Sequence, residues 1–158
     1  MDVQFINPVL NAIKSTLLQM AGINNMSVGK PEVIKNYQQA NGVVTGIMTM
    51  TGDKAVASIA LTFTESSILS IASKMLPDNH SSVNGLVGDL VGELANIVMG
   101  DAKRQLEEKG LNFQMALPII VIGREHLIAH KANAPVIRVP FSTQAGEFCV
   151  EAVYQPIN

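Results

Sequence analysis

The stretch that decides the fold is Gly85-Leu86-Val87-Gly88-Asp89-Leu90-Val91-Gly92-Glu93-Leu94-Ala95-Asn96-Ile97-Val98-Met99-Gly100-Asp101-Ala102-Lys103-Arg104-Gln105-Leu106. At about 100° per residue its larger apolar side chains fall on one broad arc, which is typical of a helix that buries one face in a core. The arc comprises Leu86, Val87, Leu90, Val91, Leu94, Ile97 and Val98. The pattern predicts one long amphipathic helix that begins near Gly85 and ends near Glu107-Glu108-Lys109, with Gly110 as its stop.

A narrow arc nearly opposite this apolar arc carries four residues in register: Asp89, Glu93, Asn96 and Gly100, here called the acidic strip. Asp89 and Glu93 are like charges four residues apart, which costs an isolated helix a few tenths of a kcal/mol. The nearest base on this face is Lys103, more than two turns beyond Glu93. Unpaired carboxylates beside an amide suit a partner's lysine, but a solvated helix face is the ordinary explanation. The spacing alone leaves both interpretations open.

Glycines are unusually frequent in this helix. Gly100 lies within the strip, where glycine costs about 0.5–1 kcal/mol relative to alanine. The missing side chain allows another molecule to approach closely. Gly85, Gly88 and Gly92 lie on or near the same side. Tight packing against another helix explains these glycines equally well.

The composition narrows the class of protein. The chain has 158 residues, 47% of them hydrophobic, which suffices for the core of a single domain over residues 1–158. A net charge of −2 without a basic patch argues against nucleic-acid binding. No apolar run approaches the roughly 20 residues of a membrane span, so we expect no membrane insertion. Cys149 is the single cysteine, and we therefore expect a cytoplasmic protein.

The remaining pattern predicts an α+β fold with a mostly antiparallel sheet and long helices packed on one side. Helices are expected from Asn7-Pro8 to Gly22, with Asn7 as N-cap, and from the cap Thr64 to Pro77; Ser81 or Ser82 is expected to cap the long helix. Strands are expected at Glu32–Gln39, Gly42–Thr51, Lys54–Phe63, Leu117–Gly123, Leu127–Ala132, Val136–Ser142 and Glu147–Tyr154. Gly46 within a strand predicts a bulge or a close approach of backbone. A helix, loop, proline and strand occur twice, with Pro31 and Pro118, which suggests a pseudo-symmetric domain.

Several kinds of catalytic site are excluded or disfavoured by the sequence. Neither a Walker loop, nor Gly-x-Gly-x-x-Gly, nor Gly-x-Ser-x-Gly occurs. His126 and His130 would suit a metal on a helix, but they fall in a predicted strand or loop without an acidic or cysteine partner at ligand spacing. We therefore expect ordinary surface or hairpin histidines and no metal site. Cys149 alternates with apolar neighbours in a strand, which predicts a packed, inert thiol.

The sequence Asp89-x-x-x-Glu93-x-x-Asn96, followed by Pro118, resembles the signature of the CheC/CheX/FliY phosphatases of bacterial chemotaxis. The similarity extends to Asn7-Pro8-Val9-Leu10-Asn11-Ala12, Val43-Val44-Thr45-Gly46-Ile47-Met48 and Ile59-Ala60-Leu61-Thr62-Phe63. The resemblance implies the pseudo-symmetric CheC-like fold. Some members carry two active-site helices, whereas the CheX branch keeps only the second. The first helix here has Val9, Asn11, Ile13 and Lys14 where a second motif is expected, so the chain is most similar to CheX.

This resemblance also implies a function. The chain would be a protein phosphatase that hydrolyses the aspartyl phosphate of a CheY-like response regulator. Glu93 would dock against the receiver's lysine and Asn96 would orient the attacking water. Asp89, Gly92, Gly100 and Lys103 would border the contact.

The resemblance further implies that the chain has no cofactor of its own, since Mg²⁺ is expected in the receiver, and that it forms a homodimer. The open alternative is a non-catalytic adaptor of the same fold that binds a receiver or a flagellar-switch component.

Overall fold

The computed structural model describes residues 3–157, so Met1, Asp2 and Asn158 of the predicted domain lie outside the described residues. Within that range three helices pack on one face of a large antiparallel sheet, which confirms the predicted α+β class. The elements are α1 (Val3–Ala21), β1 (Ser27–Val28), β2 (Glu32–Ile34), β3 (Gln38–Gln39), β4 (Val44–Gly52), β5 (Ala55–Phe63), α2 (Glu65–Met75), α3 (Gly85–Glu108), β6 (Phe113–Met115), β7 (Ile119–Ile122), β8 (Leu127–Ile128), β9 (Val136–Thr143) and β10 (Gly146–Pro156).

The strand order of the main sheet is nearly symmetrical. It runs β1-β9-β10-β5-β4-β6, and β2 and β7 also pair with β9 and β4 respectively. The central pair is β5 with β10, flanked by their hairpin partners β4 and β9. Of the short strands, β1 and β2 pair with β9 near one edge, whereas β6 and β7 pair with β4 near the other. Strands β3 and β8, one from each half, form a separate two-stranded sheet. The two halves of the chain therefore repeat one plan, as the sequence echo suggested.

Helix α3 begins at Gly85 and ends at Glu108, which is within the predicted range. Val87, Leu90 and Val91 are buried, as expected of the apolar arc. Leu86 is not: it is 59% exposed, because it lies in the first turn at the edge of the arc. The predicted serine cap is also wrong. Asn84 is the N-cap, and its side-chain oxygen accepts the N–H of Val87 at 3.0 Å.

Helix α1 begins earlier than predicted. It includes Val3, and Pro8 lies inside it instead of at its first position. The reason is burial of the turn that precedes Pro8: the Phe5 ring packs on Phe113 and Tyr154, with centroid separations of 6.2 and 5.0 Å. Burial of this aromatic ring stabilises the additional turn and offsets part of the cost of a proline within the helix.

The predicted strand Glu32–Gln39 is divided into β2 and β3. Tyr37 has a φ of 63°, and its N–H is bonded to the Asn36 side chain at 3.0 Å, so the chain turns here. The predicted strands Leu117–Gly123 and Leu127–Ala132 are shortened to β7 and β8. Strand β6 was not predicted.

The sheet face opposite the helices is covered by the segment that contains β8, through a buried polar network. His130 Nδ1 lies 2.7 Å from Ser58 Oγ, and His130 Nε2 lies 3.1 Å from Glu151 Oε1. Arg138 pairs with the same carboxylate at 2.9 Å. His126 bonds Thr45 Oγ1 at 2.6 Å. The expectation of ordinary surface or hairpin histidines was therefore wrong, because strands distant in sequence supply their partners.

Candidate functional site

The acidic strip lies on the outer face of α3. Asp89, Glu93, Asn96 and Gly100 are all exposed, while the helix buries its other face against α1 and the sheet. The positions follow directly from helical periodicity, so the sequence located this surface correctly.

The strip forms one wall of an open cleft. The opposite wall is the turn that leads into β7. The cleft is lined by Asp89, Gly92, Glu93, Asn96, Ile97, Leu117, Pro118 and Ile120. Two predicted features, the carboxylate–amide pair and Pro118, are therefore brought together although they lie far apart in sequence. Sequence reasoning did not find Leu117 and Ile120, because nothing in their pattern distinguishes them from other strand residues.

Two glycines allow β7 to lie close against α3. A Cβ on Gly88 would lie 2.8 Å from Ile122 Cδ1, and one on Gly92 would lie 3.4 Å from Ile120 Cδ1. These glycines thus serve packing against a strand, not against a helix as the alternative interpretation supposed. Gly92 is buried but still lines the cleft, and its contact with a partner stays a prediction.

Gly46 performs the same service beneath α3. A Cβ there would lie 3.2 Å from Val91 Cγ1 and 3.4 Å from Ala95 Cβ. The predicted close approach of backbone is confirmed. Because residue 46 has no side chain, α3 packs directly against β4, and this contact sets the distance between the acidic strip and the sheet.

The charges of α3 are divided between its two halves. Near the C-terminus Lys103 pairs with Glu107, and Arg104 pairs with Asp101 and Glu108. Among residues 3–157, by contrast, neither carboxylate of the strip forms an ion pair or a side-chain hydrogen bond. The first half of the helix therefore presents uncompensated negative charge to a partner. Lys103 is already paired, and its predicted contact with a partner stays a prediction.

Asn96 is the one amide of the strip. Its side chain is exposed and makes no hydrogen bond to another of the described residues. An amide can donate and accept hydrogen bonds at once, so it can hold a water molecule without acting as a strong base. It lies one helical turn from Glu93, on the same side, so both groups face the cleft.

The described residues offer no evident metal site of their own. Within residues 3–157 no group of three or more His, Cys, Asp or Glu side chains is placed to hold an ion. No helix in that range is long and apolar enough to cross a membrane.

Helix α1 carries a related strip. The carbonyls of Leu17 and Leu106 both accept the N–H of the residue that follows the stop glycine, from Ile23 at 3.1 Å and Leu111 at 3.0 Å. Aligned on these leucines, 89 positions apart, the outward-facing residues of the two helices coincide. Gln4, Asn7, Asn11 and Lys14 of α1 correspond to Glu93, Asn96, Gly100 and Lys103 of α3.

The expected position of a second motif on α1 therefore needs correction. Val9 and Ile13, expected at that position, are buried. The equivalent residues are Gln4 and Asn7, so α1 has Gln-x-x-Asn where α3 has Glu-x-x-Asn. Several residues of α1 are identical to the residue 89 positions later in α3, for example Asn7 and Asn96. These identities could have shown the correct alignment of the two helices from the sequence.

The chain is similar to several known proteins in sequence and in fold. The family model described as "Chemotaxis phosphatase CheX" matches residues 44–142. The CheY-P phosphatase CheX of Thermotoga maritima is 24% identical over 148 residues, which cover 93% of this chain and 92% of that protein. The crystal structure of a CheC-like superfamily protein from Shewanella superposes with a TM-score of 0.89 at 40% identity, over 98% of this chain and 99% of the other. A CheX–CheY–BeF₃–Mg²⁺ complex from Borrelia burgdorferi gives 0.79 at 25% identity, over 96% and 97%.

Proposed function

The chain belongs to the CheX family of chemotaxis phosphatases, and we propose that Glu93 and Asn96 are the residues with which it dephosphorylates a CheY-like response regulator. The observation that carries this proposal is their position: both are exposed, one turn apart, in the cleft that α3 forms with the turn before β7. Neither side chain is committed to another of residues 3–157. Both are therefore available to a partner.

The reaction is attack of water on the phosphorus of an aspartyl phosphate. A bond forms between the water oxygen and phosphorus while the bond from phosphorus to the aspartate oxygen breaks. The products are inorganic phosphate, which takes up the hydroxyl of the water, and a free carboxylate, and the remaining proton goes to phosphate or solvent. Because an acyl phosphate is already a good electrophile, catalysis requires mainly an oriented nucleophile and neutralised phosphoryl oxygens.

Asn96 supplies the orientation. Its amide holds the water in line with the departing carboxylate, the task that a glutamine performs in GTPases. Glu93 supplies the docking contact, an ion pair with the receiver's lysine. In a partly desolvated interface such a charge-assisted bond is stronger than it is on an open surface.

Other parts of the strip border the contact in this proposal. Asp89 adds negative charge, and Gly100 leaves open space because nothing lies within 4 Å of a Cβ built there. The Mg²⁺ that such chemistry uses belongs to the receiver's own acidic pocket, so no metal ligand is required of this chain.

We also propose two broader properties. A cytoplasmic location suits Cys149, which stays reduced there. A homodimer is expected from the family resemblance, and light scattering on the purified protein measures it directly.

The proposal is tested by the lifetime of a phosphorylated receiver. A CheY-like receiver is phosphorylated with a small phosphodonor, the donor is removed, and phosphate release is followed with catalytic amounts of this protein. We expect the wild-type chain to shorten the lifetime and the double variant Glu93→Ala/Asn96→Ala to leave it unchanged. Glu108→Ala, an exposed carboxylate outside the cleft, is the matched control and should behave as wild type. A wild-type chain that binds the receiver without shortening the lifetime would instead be the adaptor.

A further inference from the structure

One wall of the cleft is an exposed apolar surface that has no role in the proposed hydrolysis of the aspartyl phosphate. Leu117 is 85% exposed and Ile122 is 47% exposed, while Pro118 and Ile120 between them are half-buried. These four residues are called the β7 ridge. On the other side of the acidic strip lies Leu86, 59% exposed. A single exposed leucine needs no explanation, but contiguous apolar side chains around a polar cleft mark an interaction surface.

The β7 ridge is held in a fixed position. The N–H of Ala116, which precedes Leu117, bonds the carbonyl of Thr49 at 3.0 Å. Three residues after Ala116, Ile119 pairs with Ile47 of β4. Pro118 restricts the backbone between these two anchors. Leu117 is thus presented by an ordered turn, so a partner that covers it loses little backbone entropy.

The β7 ridge and the acidic strip are parts of one surface. Ile122 packs over Gly88 and Ile120 packs over Gly92, so β7 lies directly beside α3. Leu117 and Pro118 line the same cleft as Glu93 and Asn96. A protein that brings a lysine to Glu93 and a phosphoryl group to Asn96 must therefore also cover the ridge.

We propose that the β7 ridge, with Leu117 as its main contact, binds an apolar patch of the CheY-like receiver beside its phosphorylated pocket and so sets the affinity for that receiver. This inference rests on the proposed function, since it takes the receiver as the occupant of the cleft. The charged strip aligns the partner, and the ridge supplies the apolar area that a stable contact needs. No ridge atom takes part in the reaction, so Leu117 acts on binding and not on the chemical step.

The test is the variant Leu117→Ser, measured against a receiver loaded with beryllofluoride and Mg²⁺ as a stable mimic of the phosphorylated form. We expect the Kd to rise roughly tenfold to a hundredfold, the cost of losing one buried leucine contact, while kcat for the phosphorylated receiver stays within about twofold. Because Leu117 is exposed, the thermal midpoint should not change. The matched control is Leu127→Ser, 60% exposed on β8 outside the cleft, which should leave Kd unchanged.

Either of two results would overturn the proposal: an unchanged Kd for Leu117→Ser, whatever happens to kcat, or an equal rise in Kd for Leu127→Ser. The wild-type chain in the same assays separates this failure from failure of the proposed function. If wild type clears the phosphate and Leu117→Ser does so with the same Kd, only the ridge is refuted. If wild type neither binds the receiver nor clears the phosphate, the function itself is refuted and the ridge with it.

Discussion

At the scale of single residues, the proposed function gives different tasks to two neighbours in the cleft, Glu93 and Asn96. Glu93 carries a charge that the rest of α3 leaves uncompensated, whereas Asn96 carries none and can both donate and accept. A charge acts on the partner before and during the reaction, so its loss is felt in binding. An oriented water matters only in the transition state, so its loss is felt in the rate.

Cys149 shows the opposite situation, a reactive group made inert by burial. It is 3% exposed, and burial first, then the nearby Glu151, raises the pKa of its thiol from 9.0 to about 12. Because the thiolate is the nucleophile, we expect Cys149 of the native protein to react negligibly with a thiol reagent at pH 8 and fully after unfolding in urea. Fast reaction of the native protein would contradict the burial.

The same shift makes stability depend on pH. Below about pH 9 the thiol is protonated in both states and has no effect. Between about pH 9 and 12 the unfolded chain loses this proton while the folded chain keeps it, so the free energy of unfolding falls as pH rises. We expect a loss of about 1.4 kcal/mol per pH unit in that window, seen as the difference in slope between wild type and Cys149→Ala. Equal slopes would show that the thiol is not shifted.

At the scale of elements, a substitution at Gly100 should have opposite effects on the stability of α3 and on the binding of a partner. Nothing lies within 4 Å of a Cβ placed there, so Gly100→Ala should stabilise the protein by about 0.5–1 kcal/mol in urea unfolding. If the receiver approaches this face closely, the same change should weaken binding. Gly85→Ala, equally open but at the first residue of α3, is the control for binding. Unaltered receiver affinity in Gly100→Ala would remove Gly100 from the contact.

The elements also show what the sequence could predict. The predictions of helix α3 and of its acidic strip were correct, because local periodicity determines which side of a helix faces outward. The start of α1 was wrong because Phe5 is buried against Phe113 and Tyr154, more than a hundred residues away. The predicted environment of His130, a surface or hairpin position, was wrong for the same reason. Its partners Ser58 and Glu151 come from two other strands. Local patterns carry no information about such partners.

At the scale of the whole molecule, the two halves share one plan, but the exposed surfaces of their helices differ. Each half supplies a helix and a hairpin, and α1 has Gln4 where α3 has Glu93. Gln4 carries no charge for a receiver's lysine. Among the described elements, β7 packs against α3, whereas β2, its counterpart by position, has no comparable packing against α1. The cleft therefore belongs to the second half.

The buried network behind the sheet holds the halves together. Glu151 is 1% exposed and accepts from both Arg138 and His130, while Arg138 also donates to the carbonyl of Gln39 at 3.0 Å. Glu151→Gln leaves the Arg138 charge buried without a counter-ion, which should cost roughly 3–5 kcal/mol in the free energy of unfolding. Glu108→Gln, which removes an exposed pair with Arg104, should cost less than about 1 kcal/mol. Similar losses in the two variants would contradict this account of the network.

The most direct test of the central claim is single-turnover dephosphorylation of a receiver by Asn96→Ala, with its affinity for the beryllofluoride-loaded receiver measured separately. We predict a Kd within about threefold of wild type and a rate that falls roughly a hundredfold or more, to that of the receiver alone, because the docking charge of Glu93 is intact and the oriented water is lost. Glu93→Ala should show the reverse, with weakened binding and a largely retained rate at saturation. An Asn96→Ala protein that clears the phosphate as fast as wild type would contradict the account.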